Sequence, residues 1–219
     1  MKIGLLSCVT GDRYDWQTEV TNPFKETYCR ERGYEYVYIK YEKSPLGRHP
    51  YWDRIWYLGM ELPKYDAIMW MDADAAPVKF EYRVEDLISK GGDFWISPET
   101  VSGRAYFNVG SFIVKNSDWG RGLLEYWGSE KVWKEFKGHG NPEQDALTEI
   151  YHRGWNGSKE HIKVLGRNEI NSVGVGCGRI WRNGDFVKHL ACGKSRDRFR
   201  EEFWRGLDVV YFGKFGVRK

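Results

Sequence analysis

The sequence predicts one α/β domain, a sheet with helices on its flanks. Three observations carry that expectation. Short apolar runs alternate with helical stretches along the chain, and 219 residues suffice for one sizeable core. Residues 3–9 (I-G-L-L-S-C-V) lead into a glycine-containing turn, as a first strand does in such folds. Residues 67–71 (A-I-M-W-M) are apolar throughout, as in a strand buried on both faces. With no internal repeat, low-complexity tract or clear domain boundary, residues 1–219 are read as a single domain.

The polar turn after the first strand, Thr10-Gly11-Asp12-Arg13, is where α/β folds commonly place nucleotide contacts. Residues 16–32 read as a helix with a candidate break at Asn22-Pro23, closed by Gly33. Residues 34–41 (Y-E-Y-V-Y-I-K-Y) alternate with period two and form a second strand, followed by a loop to residue 50. Residues 51–62 read as a helix with Trp52, Ile55, Trp56 and Gly59 on one face and Arg54 on another. Pro63 ends it and leads into the apolar strand. A short helix at 84–89, a turn at Gly91-Gly92-Asp93 and a strand at 94–97 come next. The strand at 106–115 starts in a polar, glycine-containing stretch, Asn108-Val109-Gly110-Ser111. Ser117 suits the N-cap of a helix reaching Trp127. Asn141-Pro142-Glu143-Gln144 marks another helix start: a cap, proline at the first position and glutamine three residues after the cap. Ala146, Leu147, Ile150 and Tyr151 give that helix its buried stripe. Strands at 162–165 and 185–190 and a helix at 196–205, with Phe199 packed on Phe203, complete the chain. Gly174 to Gly178 (G-V-G-C-G) lack the spacing of a dinucleotide fingerprint and read as a flexible loop.

Composition narrows the function classes. A net charge of +3 gives no bias towards nucleic acid. No apolar run approaches the roughly 20 residues that span a bilayer. The N-terminus enters a strand without a signal-peptide pattern, and the four cysteines (Cys8, Cys29, Cys177, Cys192) form no C-x-x-C pair. A reducing, cytoplasmic compartment is the expectation. Aromatic residues make up 16%, with 11 Trp and 14 Tyr; most fill core, while some suit stacking on sugars or bases.

Two carboxylates, Asp72 and Asp74, appear where the 67–71 strand ends. At spacing i, i+2 in extended backbone they point to the same side, and they repel unless a proton or cation lies between them. A bare D-x-D is usually a solvated turn. Here the preceding apolar run and the small neighbours Ala73, Ala75 and Ala76 favour a site for a hard divalent ion carrying a diphosphate. Pro77 keeps the strand from continuing as a central ladder member. Two carboxylates leave a metal shell incomplete, and His189, at a strand end beside Gly193 and Lys194, is the third candidate ligand. Imidazole shifts the expected ion from Mg²⁺ towards Mn²⁺, with Mg²⁺ the alternative. Lys194, Arg54 and Arg13 are candidates to neutralise a departing diphosphate, although any one of them alone more often lies on the solvated surface. Acidic residues in a first helical turn are expected from the helix dipole, yet Asp145, beside the buried stripe, could stabilise an oxocarbenium ion or act as nucleophile or base.

The ordered blocks S-C-V-T-G, H-P-Y-W-D-R, I-M-W-M-D-A-D-A, F-N-V-G-S-F-I-V-K-N-S-D-W, P-E-Q-D-A-L and D-F-V-K-H-L-A-C-G-K span nearly the whole chain. Together they resemble the GT-A glycosyltransferases of the yeast α-mannosyl/galactosyltransferase and plant xyloglucan xylosyltransferase family. The resemblance implies a single GT-A domain with a Rossmann-like mixed sheet and transfer of a hexose or deoxyhexose from a nucleotide diphosphate, expected to be UDP, to a glycan or glycoprotein hydroxyl with retention. It implies that Asp72, Asp74 and His189 hold the metal and that Thr10 and its neighbours, Val9 among them, hold the nucleotide with Asp72; Arg13, Arg54, Gly193 and Lys194 complete the candidate nucleotide-sugar set. Asn108, Gly110 and Ser111 would face the sugar or acceptor, and Gln144 and Asp145 would lie at the anomeric carbon. The chain departs from the family in lacking its membrane anchor, in Cys192 and in Asp145. A compact form of this kind is similar to the small glycosyltransferase domains of large algal viruses, which would act in the host cytoplasm.

Three rivals fit less of the sequence. A haloacid-dehalogenase-type phosphatase usually places its motif near the N-terminus with Thr two residues after the second Asp, where this chain has Ala76. A sugar nucleotidyltransferase needs a Gly-rich, basic first loop. A non-catalytic carbohydrate-binding module accounts for the tryptophans and leaves the carboxylate pair unexplained.

Overall fold

The computed structural model describes residues 1–12, 14–101, 104–166, 169–173, 181–182, 184–191, 195–205 and 207. In order, the elements are β1 (Ile3–Thr10), α1 (Asp15–Arg32), β2 (Glu35–Tyr41), a 3-10 turn (Pro50–Trp52), α2 (Asp53–Glu61), β3 (Ala67–Met71), β4 (Ala75–Pro77) and α3 (Val84–Ile88). There follow β5 (Phe94–Val101), β6 (Arg104–Lys115), α4 (Asp118–Trp127), α5 (Glu130–Phe136), α6 (Pro142–His152), α7 (Ser158–His161), β7 (Ile162–Val164), β8 (Ser172–Val173), β9 (Val187–His189) and α8 (Arg196–Trp204).

Six strands form a mixed sheet in the order β2-β1-β3-β6-β5-β7. β1 runs parallel to β2 and β3, whereas β6 is antiparallel to both β3 and β5. Alternation along β3 explains why it must be apolar on both sides. Ala67, Met69 and Met71 face a core shared with α1 and α8; Ile68 and Trp70 face a second core beneath α2, α4, α5 and α6. A smaller sheet, β4-β9-β8, folds back beside the end of β3. Pro77 lies in its outer strand β4, where a missing N–H is tolerated.

Several sequence readings change. α1 is continuous through Pro23. An interior proline costs about 3 kcal/mol, and here Thr21, Phe24, Lys25 and Tyr28, all fully buried, hold that face of the helix against the fold. On α2 the buried residues are Asp53, Arg54, Ile55 and Leu58, while Trp56 is 44% exposed and Gly59 is also exposed, so of the face read for Trp52, Ile55, Trp56 and Gly59 only the first two reach the core. Ser117 caps α4 as expected, accepting from the Gly120 N–H at 3.1 Å. Asn141 makes no side-chain cap on α6, and Gln144 reaches into the sheet rather than back to the cap. Trp52, Trp70, Trp95 and Trp127 are fully buried, which places them in the core rather than on a sugar-stacking surface. Gly174 to Gly178 lie outside the described residues. No helix is long and apolar enough to cross a membrane among the described residues.

Candidate active site

The end of β3 is where the site is built, because the chain leaves the main sheet there and turns towards the smaller one. The Asp72 N–H still donates to Gly110 O on β6 at 2.8 Å, and the Ala75 N–H turns back to Asp72 O at 3.2 Å. β4 then pairs with β9 so that Ala75 faces His189 and the Leu190 N–H donates to Asp74 O at 3.1 Å. The small sheet therefore brings His189 to the carboxylate pair.

One ligand atom each from Asp72, Asp74 and His189 lie within 4.8 Å of one another. His189 Nε2 is 3.2 Å from Asp74 Oδ1, and adjacent ligands of an octahedral ion with bonds of ~2.1 Å lie roughly 3 Å apart. Nδ1 faces Asn171 Oδ1 at 2.9 Å; because that oxygen only accepts, the proton sits on Nδ1 and Nε2 is left for a cation. Asn171 is fixed by donating to Asn108 Oδ1 at 2.7 Å and Asn108 O at 3.2 Å, and Asn108 Oδ1 also accepts from the Gly110 N–H at 2.9 Å. Gly110 leaves room for the ring. The donor set and its orientation fit a divalent ion.

Asn171→Ala is expected to leave the fold intact and weaken Mn²⁺ binding about 10–100-fold, as loss of a ligand-orienting partner does. Calorimetric titration checks it.

Asp72 is held from the other side. Arg54 Nη1 lies 3.2 Å from its Oδ1 and also donates to Val109 O at 2.8 Å, while Trp70 Nε1 donates to the same carboxylate oxygen at 2.8 Å. Burial raises the Asp72 carboxyl above the usual range, with Arg54 opposing and Asp74 adding to the rise. Arg54 is shared: its Nη2 is 3.6 Å from Glu143 Oε1, and Glu143 Oε2 is buried without a hydrogen-bond partner. Burial pushes the Glu143 carboxyl up to about 7 against the pull of Arg54. An acid whose pKa rises on folding binds its proton more tightly in the native state. Stability is therefore lost as pH climbs from the ordinary carboxylate value to about 7. Glu143→Gln is expected to gain on the wild type between about pH 5 and about pH 8, by up to ~3 kcal/mol, in urea denaturation.

The remaining candidates divide by position. Gln144 Oε1 accepts the Val109 N–H at 3.1 Å, so it ties α6 to β6 beside Arg54. Asp145 accepts from the Tyr106 hydroxyl and lies 2.8 Å from His139 Nδ1. Ser111 is paired with Met71 and fully buried, its Oγ without a partner. Val9 is buried at the end of β1, and Thr10 contacts the Tyr41 hydroxyl. Arg13, Gly193 and Lys194 lie outside the described residues. Sequence reasoning missed Asn171, Trp70, Tyr106 and His139. Only the H-bonding network of His189 identifies Asn171, and no local pattern marks it.

Comparisons with known proteins now bear on this geometry. A model of the galactosyl transferase GMA12/MNN10 family matches residues 101–199, which include β6, α6 and His189. A model described as protein of unknown function, DUF273, matches residues 25–147, more than half of the chain. No curated protein matches the sequence. Among solved structures, a glycosyltransferase involved in glycosylation of the major capsid of PBCV-1 superposes with a TM-score of 0.69 at 17% identity, covering 92% of this chain and 98% of that one. The galactosyltransferase LgtC, in complex with donor and acceptor sugar analogues, gives a TM-score of 0.58 at 13% identity, with 96% and 99% covered. Mouse xyloside xylosyltransferase 1 gives 0.54 at 13%, with 88% and 98% covered. At these identities the structures speak for the fold, which is GT-A. The chain belongs to the DUF273 family and is a glycosyltransferase of the GT-A fold, similar over residues 101–199 to the galactosyl transferase GMA12/MNN10 family.

Proposed function

We propose that the protein transfers a hexose or deoxyhexose from a UDP-sugar to a hydroxyl of an acceptor glycan, with retention and with Mn²⁺ as the preferred ion. The observation that carries this reading is the convergence of Asp72, Asp74 and a His189 whose Nδ1 proton is committed to Asn171. Asp72, Asp74 and His189 would hold the ion. When bound, it supplies positive charge to the leaving diphosphate.

The chain's own residues supply the rest. Arg54, a fixed cation against Asp72, orients that carboxylate and sets the charge balance on its far side. Transfer breaks the bond from the anomeric carbon to the phosphate oxygen, which keeps the electron pair, and forms a bond to the acceptor oxygen. In same-face attack the acceptor proton passes to the departing phosphate. Asp145, already engaged by Tyr106 and His139, is better suited to stabilising positive charge on the sugar ring than to forming a bond with it. Retention rests on the resemblance to the GMA12/MNN10 family, and donor and acceptor classes on the glycosyltransferase fold. A cytoplasmic setting accords with Cys8 and Cys29 being free thiols.

Thermal shift against a panel of nucleotides and nucleotide sugars, with and without Mn²⁺, tests the reading through mass-action stabilisation. A Mn²⁺-dependent rise with UDP species and with no other nucleotide is the expected result. No rise with any nucleotide, together with metal-dependent hydrolysis of simple phosphate esters, replaces it with the phosphatase reading.

A further inference from the structure

Beneath the D-A-D turn lies a side of the site that the carboxylates do not use. Lys25 is fully buried in α1, and its ammonium donates to Asp72 O at 2.9 Å and to Ser7 Oγ on β1 at 3.0 Å. Thr21, one helical turn earlier and also fully buried, donates its hydroxyl to Ala73 O at 2.6 Å. With the Leu190 N–H on Asp74 O, the carbonyls of three successive residues are each taken, two by α1 and one by the chain leaving β9. A lysine is rarely placed fully inside a protein; burial works against the charge of this one, while Asp74 and Asp72 favour it.

We propose that Thr21 and Lys25 are positioning residues for cation binding: α1 braces the backbone of residues 72–74 from below, so that both carboxylates converge on His189 before an ion arrives. The inference rests on the reading of Asp72, Asp74 and His189 as a metal site. Two chelating carboxylates held close together repel, and an unbraced turn relieves that repulsion by rotating them apart. Bracing removes that escape. The ammonium also offsets the repulsion while no cation is present.

The two residues need different tests. Removing the Lys25 charge by itself tightens cation binding, because one like charge disappears from the neighbourhood. Affinity in a Lys25 variant therefore mixes two opposing effects. Thr21→Val keeps shape, carries no charge change and loses only the donor, and Thr21→Ser restores it.

Calorimetric titration with Mn²⁺ is expected to give about tenfold weaker binding for Thr21→Val and wild-type affinity for Thr21→Ser, the loss typical of an outer-sphere partner. Amide exchange of residues 72–76, measured without metal, is expected to quicken in Lys25→Met relative to that of β3. Equal Mn²⁺ affinity in wild type and Thr21→Val, or unchanged exchange at 72–76 in Lys25→Met, overturns the positioning role alone. Wild-type protein that takes up no Mn²⁺ overturns the metal reading and this inference with it.

Discussion

Asp74→Ala is expected to abolish the Mn²⁺-dependent stabilisation by UDP and to lower sugar transfer by about a thousandfold or more. Asp74 Oδ1 lies 3.2 Å from His189 Nε2, so its loss removes a ligand and the group facing the imidazole lone pair together. A ligand at a hundredfold excess over its Kd stabilises by about 2.7 kcal/mol, roughly 5–10 °C in a chain of this size. That whole increment should vanish. The rate effect follows from losing several kcal/mol of charge stabilisation at the leaving diphosphate, each 1.36 kcal/mol being worth about tenfold. Differential scanning fluorimetry and a transfer assay on the same sample check both parts. The ligand-free melting temperature should change far less, because Asp74 is a partly exposed carboxylate outside the core.

Gly110→Ala should be as severe by another route. A Cβ at this position would lie 2.1 Å from His189 Cε1, 2.7 Å from Nδ1 and 3.0 Å from Asn108 Oδ1. The methyl and the imidazole occupy the same space, so either the ring leaves the site or β6 separates from β9. Overpacking of this kind costs about 1–3 kcal/mol. Loss of Mn²⁺ binding is the more telling outcome, since both carboxylates are still present in the variant. Chemical denaturation and Mn²⁺ titration measure the two effects separately. Wild-type Mn²⁺ affinity in Gly110→Ala means that His189 is not a ligand.

What the sequence discloses follows the range of the signal. β3 and its carboxylates are legible because a continuous apolar run ending in Asp-Ala-Asp is a local pattern with a local cause. The Ser117 cap and the Pro142 helix start are legible for the same reason. The smaller sheet is legible only at β9, which falls inside the strand expected at 185–190; β4 and β8 are three and two residues long and derive their pairing from β9, with no periodicity to read. The shared face read for Trp52, Ile55, Trp56 and Gly59 says nothing of which residues are buried; the structure buries Trp52 and Ile55 together with Arg54, which has two carboxylates to satisfy, and exposes Trp56. Proline at Pro23 signals a break from propensity alone, and the packing of Phe24 and Tyr28 outweighs it. α5 (E-K-V-W-K-E-F) fully buries only Val132 and Phe136, with Trp133 packed partly against the core, too thin a stripe to stand out. The steric need for glycine at Gly110 is not legible either: it is the gap that admits His189, a requirement set by residues far apart in the chain.

The central claim is that Asp72, Asp74 and His189 form one cation site for a nucleotide diphosphate. Anomalous scattering at the manganese edge, from crystals grown with Mn²⁺ and UDP, tests it most directly. The account predicts one manganese peak bonded to a carboxylate oxygen of Asp72, one of Asp74 and Nε2 of His189, with diphosphate oxygens completing its shell. A UDP molecule bound with no manganese between it and Asp74, or manganese bound without His189, contradicts it.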